Sequence, residues 1–219
     1  HSGEILALAS SPDFDVNKER GPLGKENDTS IYFNRVAQGV YEMGSTFKVF
    51  SVAQGFEENL FNVDTLIDTT PFRISSRKIE DKYKFDSQSS IYEIIVKSSN
   101  VGSARLALMI GEKGLKEIFS TLGLLEPVDL ELGEANLTQP IIPKDWRDIT
   151  LATTSYGYGI SVSLLHLAKA YAILGNGGFS IEPTILKKNL DVQMRSRVLK
   201  KRTSDEILKL LEAVVTDQR

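Results

Sequence analysis

The sequence predicts an α+β fold that is rich in helix, and three observations carry that prediction. Apolar residues at helical spacing recur along the chain, most clearly at 47–56, 163–175 and 203–215. A few short β-prone stretches, at 4–10, 62–88 and 183–187, stand between them. Clusters of Pro and Gly at 11–30 and 124–143 punctuate the chain into loops. With 219 residues the chain is long enough for one sizeable domain or two small ones, and it shows no internal repeat or low-complexity segment.

Taken in order, Glu4 to Ser10 reads as a buried strand after a turn at Ser2-Gly3, the second strand of a hairpin whose first would precede residue 1. Residues 11–30 read as loop and 31–44 as irregular chain ending at Gly44. A helix begins at Ser45, with Phe47, Val49, Phe50, Val52, Ala53 and Phe56 on its apolar face, and stops near Asn59. The polar stretch 62–88, with Pro71 and Phe72-Arg73-Ile74, reads as a surface hairpin or flap. Short helices are expected at Ser90–Val96, Asn100–Ile110 and Lys113–Leu122, the last closed by Gly123. A loop covers 124–143, a helix Trp146–Thr153, and a turn Tyr156-Gly157-Tyr158-Gly159. Ser163 opens a helix that Gly177-Gly178 closes, and Pro183–Lys187 reads as a strand. Thr203-Ser204-Asp205-Glu206 has the capping-box pattern and would open a final helix.

Composition excludes several classes. Net charge is −3, from 26 basic and 29 acidic residues, which leaves no basic footprint for nucleic acid. There is no cysteine, hence no disulfide framework, zinc-thiolate site or cysteine nucleophile; the absence fits an extracytoplasmic compartment. No stretch reaches the roughly 18 apolar residues of a membrane span, and no signal peptide is visible. Of the two histidines, His166 falls in an amphipathic helix and reads as a packed or surface residue.

Two short motifs carry the chemistry. The first is Ser45-Thr46-Phe47-Lys48, an S-x-x-K, and the second is Ser98-Ser99-Asn100, an S-x-N. A serine hydroxyl is a weak nucleophile and needs a base beside it. Positions i and i+3 of a helix share a face, so Lys48 is placed to serve Ser45. At a helix start, free N–H groups favour a developing oxyanion. Lys48 must be neutral to act as a base, which burial or neighbouring positive charge would bring about. Ser98 could relay a proton, and the Asn100 amide could orient a substrate carbonyl. Each motif alone has a plainer reading. Ser45 could cap a helix while Lys48 is solvated, and Ser98-x-Asn100 could be a turn or an N-cap. A second S-x-x-K, Ser75-Ser76-Arg77-Lys78, lies in the polar flap with no helix pattern after it.

In order, these segments resemble those of class B penicillin-binding proteins. The run Asn34 to Lys48 is similar to the family's first motif, with Met43 where Pro is commoner. Ser98-Ser99-Asn100-Val101-Gly102-Ser103-Ala104 looks like the second motif and its continuation, and Ser155-Tyr156-Gly157-Tyr158-Gly159 is similar to the Tyr-Gly-x-Gly segment that follows. Gly3 to Ser10 matches the second strand of the opening hairpin, so the resemblance runs over nearly the whole chain. The Ser-Tyr-Gly-Tyr-Gly form leans towards the division-specific transpeptidases of Gram-negative bacteria.

The resemblance implies the penicillin-binding transpeptidase and serine β-lactamase-like fold, an antiparallel sheet flanked by helices, with the Ser45 helix at its centre. It implies a peptidoglycan D,D-transpeptidase: Ser45 the nucleophile, Lys48 its base, Ser98 the proton relay and Asn100 a substrate contact. No metal or organic cofactor is implied. The implied partners are peptidoglycan stem peptides, β-lactam antibiotics, a membrane glycosyltransferase and divisome proteins, at the periplasmic face of the bacterial inner membrane. One departure stands out: the family's third motif, Lys-Thr-Gly or Lys-Ser-Gly, occurs nowhere in the 219 residues. The chain therefore reads as a partial transpeptidase domain, lacking its first strand and the C-terminal strands with that motif, and as inactive or impaired by itself. A serine β-lactamase or β-lactam sensor, and a non-catalytic interaction module of an envelope complex, are the competing readings.

Overall fold

A computed structural model describes residues 2–15, 17, 31–187 and 196–217. The chain is built around one buried helix. After a 3-10 turn at Gly44–Phe47, helix α1 spans Lys48–Glu57. Lys48 through Gly55 are all buried, with Phe50, Val52 and Ala53 fully so. An apolar stripe would bury one face only; here the polar positions Lys48, Ser51 and Gln54 are enclosed as well, which places α1 at the centre. Phe47 packs edge-on against Phe50 and Phe119, with ring centroids 5.0 and 5.7 Å apart.

The polar stretch after α1 is a nested pair of hairpins. Strand β1 (Leu66–Asp68) pairs antiparallel with β4 (Gln88–Ser90), and β2 (Phe72–Ile74) with β3 (Arg77–Ile79) inside them. Helix α2 (Ile91–Val96) starts at once, because Ser90 and Glu93 complete a capping box. Helix α3 (Asn100–Thr121) packs along α1. It joins the two expected helices across a kink at Gly111, whose φ of 75° and ψ of 178° a side chain would resist. It ends as expected at Gly123: the Gly123 N–H donates to Ser120 O and the Leu124 N–H to Phe119 O, a Schellman pattern. Helices α4 (Gly133–Leu137), α5 (Asp148–Ser155), α6 (Leu164–Gly175) and α7 (Lys201–Thr216) complete the set. The helix-rich α+β prediction holds. Among the described residues the strands form two two-stranded antiparallel sheets and isolated bridges, rather than one larger sheet.

Several local expectations are corrected. Glu4–Ser10 is not a buried strand: only Glu4 forms a bridge, parallel to Thr184, and Leu6 is 93 % exposed. Pro183–Lys187 is likewise reduced to that bridge. A β-prone segment becomes a strand only where a neighbour supplies a ladder, and a single bridge satisfies few backbone groups. The loop 124–143 contains α4, and α5 starts at Asp148 rather than Trp146, whose indole instead packs beside Phe119. The expected helix start at Ser45 is a 3-10 turn, and α-helical geometry begins at Lys48. The final helix starts at Lys201, so Thr203-Ser204-Asp205-Glu206 is not its capping box. Glu57 of α1 takes that place by accepting the Lys200 N–H at 2.7 Å. Ser204 turns inward, donating to Leu174 O and accepting from the Gly177 N–H. Parts of the 11–30 loop and residues 188–195 lie outside the described residues.

Candidate functional site

Ser45 is exposed at the mouth of the 3-10 turn, and Lys48 is buried three residues later. The Lys48 N–H donates to Ser45 O, closing the 3-10 turn, and in that geometry positions i and i+3 eclipse, so the two residues stand one turn apart on one face. The turn is pinned from several sides. Thr46 Oγ1 donates to Met43 O at 3.0 Å, and Tyr171 Oη of α6 donates to Thr46 O at 2.8 Å. The Gly44 N–H donates to Gly157 O at 3.2 Å. Gly157, at φ 80°, lies so close that a Cβ there would sit 2.1 Å from Gly44 O. The Gly159 N–H donates to Glu42 Oε1 at 2.6 Å, and Tyr41 and Val162 form an antiparallel bridge. The Tyr156-Gly157-Tyr158-Gly159 turn is therefore the wall against which the Ser45 turn is built.

Lys48 reaches across to the second motif. Its Nζ donates to Ser98 Oγ at 2.7 Å and to Ser98 O at 2.6 Å. Burial pushes the amine down from 10.5 to about 8, against an opposing pull from the Asp81 carboxylate. At that value roughly a tenth of Lys48 is neutral at pH 7, against about three in ten thousand for an ordinary lysine.

Ser98 holds a left-handed backbone, with φ 61°, which is uncommon for a residue with a side chain. Such strain persists only where neighbours over-determine it, and here they do. The Ser98 N–H donates to Ile95 O, and the Ser99 hydroxyl caps α3 by accepting the Gly102 N–H at 2.9 Å. Asp81, from the flap, accepts from Ser99 Oγ at 2.7 Å, from the Asn100 N–H, and from the Val101 N–H at 3.2 Å. A carboxylate on the first N–H groups of a helix also meets the positive end of its dipole. Sequence reasoning missed Asp81. It lies 18 residues before Ser99 in a polar flap, and nothing local distinguishes it from its charged neighbours.

The structure thus brings Lys48 and Ser98 into direct contact and stacks Ser45 one turn before Lys48. It places Asn100 as the first residue of α3, its side-chain amide making no hydrogen bond among the described residues. The flap's own S-x-x-K is not a site of this kind. Ser75 turns the β2–β3 hairpin, and Lys78 is exposed beside Glu80. Of the two readings of His166, packed or surface, the structure selects the packed one: it is fully buried. It accepts the Ser163 N–H at Nδ1, so Nε2 carries the proton and donates to Glu126 O at 2.8 Å. Among the described residues no group of three His, Cys, Asp or Glu could hold a metal, and no helix is long and apolar enough to cross a membrane.

Known proteins resemble this chain in sequence and in fold. Residues 1–219 match the family model of the penicillin-binding protein transpeptidase domain. A probable peptidoglycan D,D-transpeptidase FtsI of Caulobacter vibrioides is 39% identical over 217 residues, covering 98% of this chain and 36% of the relative. The chain thus spans about a third of the length of the curated relatives it matches. A Burkholderia ambifaria protein described as a peptidoglycan glycosyltransferase superposes with a TM-score of 0.83 at 29% identity, covering 98% of this chain and 63% of that one. The apo transpeptidase (TP) domain of Burkholderia pseudomallei penicillin-binding protein 3 does so with a TM-score of 0.78 at 32% identity, covering 84% and 56%. The chain belongs to the penicillin-binding protein transpeptidase family.

Proposed function

We propose that this chain carries the acyl-transfer centre of a peptidoglycan D,D-transpeptidase. The observation that carries the reading is the Lys48 amine. It is buried, lowered to about 8, and bonded to Ser98 Oγ one turn below an exposed serine. Ser45 is the nucleophile, and Lys48 in its neutral form takes the hydroxyl proton. Ser45 Oγ attacks the carbonyl of the D-Ala-D-Ala amide in a stem peptide. The C–N bond breaks, D-Ala leaves with a proton relayed through Ser98, and an acyl-enzyme remains. The amine of a neighbouring stem then attacks the ester carbonyl, the bond to Ser45 Oγ breaks, the proton the amine loses passes to Ser45 Oγ, and a cross-link forms. Asn100, whose side-chain amide makes no hydrogen bond among the described residues, orients the substrate. No metal or organic cofactor has a part in this scheme.

β-Lactams present a similar carbonyl, and acylate Ser45 to give an adduct that water clears slowly. In its full-length setting the protein works at the periplasmic face of the inner membrane, on peptidoglycan stems, beside a membrane glycosyltransferase and other divisome proteins.

Intact mass after incubation with a penicillin tests the reading, with Ser45→Ala as control and circular dichroism to verify folding. The expected result is a long-lived adduct of one penicillin that Ser45→Ala loses. Fast clearance would identify a hydrolase instead. A folded full-length protein that takes no adduct would leave only an interaction module.

A further inference from the structure

Arg105 lies five residues after Asn100 on α3, yet its side-chain contacts go to the flap. Its Nη2 is 2.9 Å from Asp68 Oδ2 and 3.2 Å from Thr70 O, and its Cζ lies 4.3 Å from the Phe72 ring centroid. Its Nε is buried without a partner among the described residues, a cost that an exposed ion pair would not carry. The guanidinium thus gives up solvation to grip the limb that enters the flap.

That limb leads back to the second motif. Phe72 pairs with Ile79 across β2 and β3, and Asp81 follows two residues later, bonding Ser99 and the first N–H groups of α3. Helix α3 therefore holds the flap through Arg105 on the way out, and the flap holds the start of α3 through Asp81 on the way back. Apolar packing also seats the flap, with Ile79 buried beside Val101 and Ala104. Such packing is non-directional: it fixes how far the flap lies from α3, and not its register. Placing one carboxylate on two N–H groups and a hydroxyl requires directed contacts.

We propose that Arg105 is a positioning residue, which fixes the flap through Asp68, Thr70 and Phe72 so that Asp81 locks the Ser98-Ser99-Asn100 turn against Lys48. The role rests on the acyl-transfer reading above, since it is expressed through the rate at which Ser45 is acylated.

The test uses the full-length protein and benzylpenicillin, separating the dissociation constant of the first complex from the acylation rate constant at saturation. Arg105→Met is expected to lower the rate constant about tenfold while leaving the dissociation constant within about twofold. Arg105→Lys, which keeps a cation for Asp68, Thr70 and Phe72, is expected to stay within about threefold of the parent. Added to Asp81→Asn, Arg105→Met should cost less than about twofold more, because the contact it supports is already gone. Losses that multiply, or an Arg105→Met protein that folds and acylates at the parent rate, would overturn the positioning role and leave the transpeptidase reading intact. Should Arg105→Met fail to fold, Asp68→Asn, which removes the partner's charge, carries the same comparison. A parent protein that takes no penicillin at all would overturn both.

Discussion

The Lys48 amine lies 2.7 Å from the hydroxyl and 2.6 Å from the carbonyl of Ser98, so one buried cation on α1 bonds both oxygens of a turn fifty residues away. The contact joins the left-handed backbone at Ser98 to a buried amine. Much of what can be tested about this protein starts from that pair.

Acylation should depend on the neutral fraction of Lys48, with its amine near 8. The rate is expected to rise with pH up to about 8 and level off above it. Lys48→Arg, which stays charged, should lose at least about a hundredfold. Measuring penicillin acylation from pH 6 to 10 checks both, and a flat profile would remove Lys48 as the base.

The same shift predicts a stability effect as well. The folded value lies below the unfolded 10.5, so the unfolded chain binds more protons between about 8 and 10.5, and stability rises with pH across that window. Below pH 8 the buried charge is a full cost. Lys48→Met is therefore expected to be more stable than the parent at pH 7, by on the order of 1–3 kcal/mol, with the gain shrinking towards pH 10. Urea unfolding at pH 7 and pH 9.5 measures it; a less stable Met variant at pH 7 would count against the burial cost.

Asp81 bonds the Asn100 and Val101 N–H groups and the Ser99 hydroxyl. Asp81→Ala should destabilise the fold by about 1–2 kcal/mol, as loss of a helix cap does. Amide hydrogen exchange should speed up at Asn100 and Val101 while α6 stays protected. Uniform acceleration along the chain would mean a general loss of stability instead.

Two glycines of one turn should differ sharply on substitution. Gly157→Ala places a methyl 2.1 Å from Gly44 O, whereas Gly159→Ala meets nothing nearer than 3.7 Å. Both have φ of 80°, so each incurs a backbone penalty of about 1 kcal/mol. Only Gly157→Ala must push the Ser45 turn aside, and it should lose at least about tenfold in acylation while Gly159→Ala stays near the parent. Equal effects would show that the contact with Gly44 is not what shapes the turn.

His166 is held neutral by burial, which lowers its folded value below the ordinary 6.5. Its contribution is present above pH 6.5 and is lost as pH falls through the folded value, because the unfolded chain then binds the extra proton. His166→Gln keeps a polar group three residues after Ser163 for the α6 capping box and removes the titration. It should flatten the loss of thermal stability between pH 7 and pH 5, and an unchanged slope would assign that loss to other groups.

Signals that act over one turn of chain were legible in the sequence. The helix after Ser90, the stop at Gly123 and the Ser163 start all depend on residues three to five apart. Ser45 and Lys48 stood out for a similar reason, being three residues apart at a helix start, and Ser98 and Asn100 because their motif follows that one in an order that resembles a family. The errors fell where a distant group decided the outcome. Glu57 took over the start of α7 from a plausible local capping box, 143 residues along the chain. A lone bridge between Glu4 and Thr184 left two β-prone segments without the neighbours that would make them strands.

The sequence by itself determined the helix-rich α+β composition, which follows from periodicity, and the two motifs, whose residues and order carry the resemblance to a family. Only the tertiary structure decided that Lys48 is buried and lowered to about 8, that Asp81 and not a neighbouring acid holds the second motif, and that Gly157 shapes the Ser45 turn. Desolvation and directed hydrogen bonds depend on what surrounds an atom in space. In this site the surroundings come from the flap, α3 and the Gly157 turn, which the chain brings together only on folding.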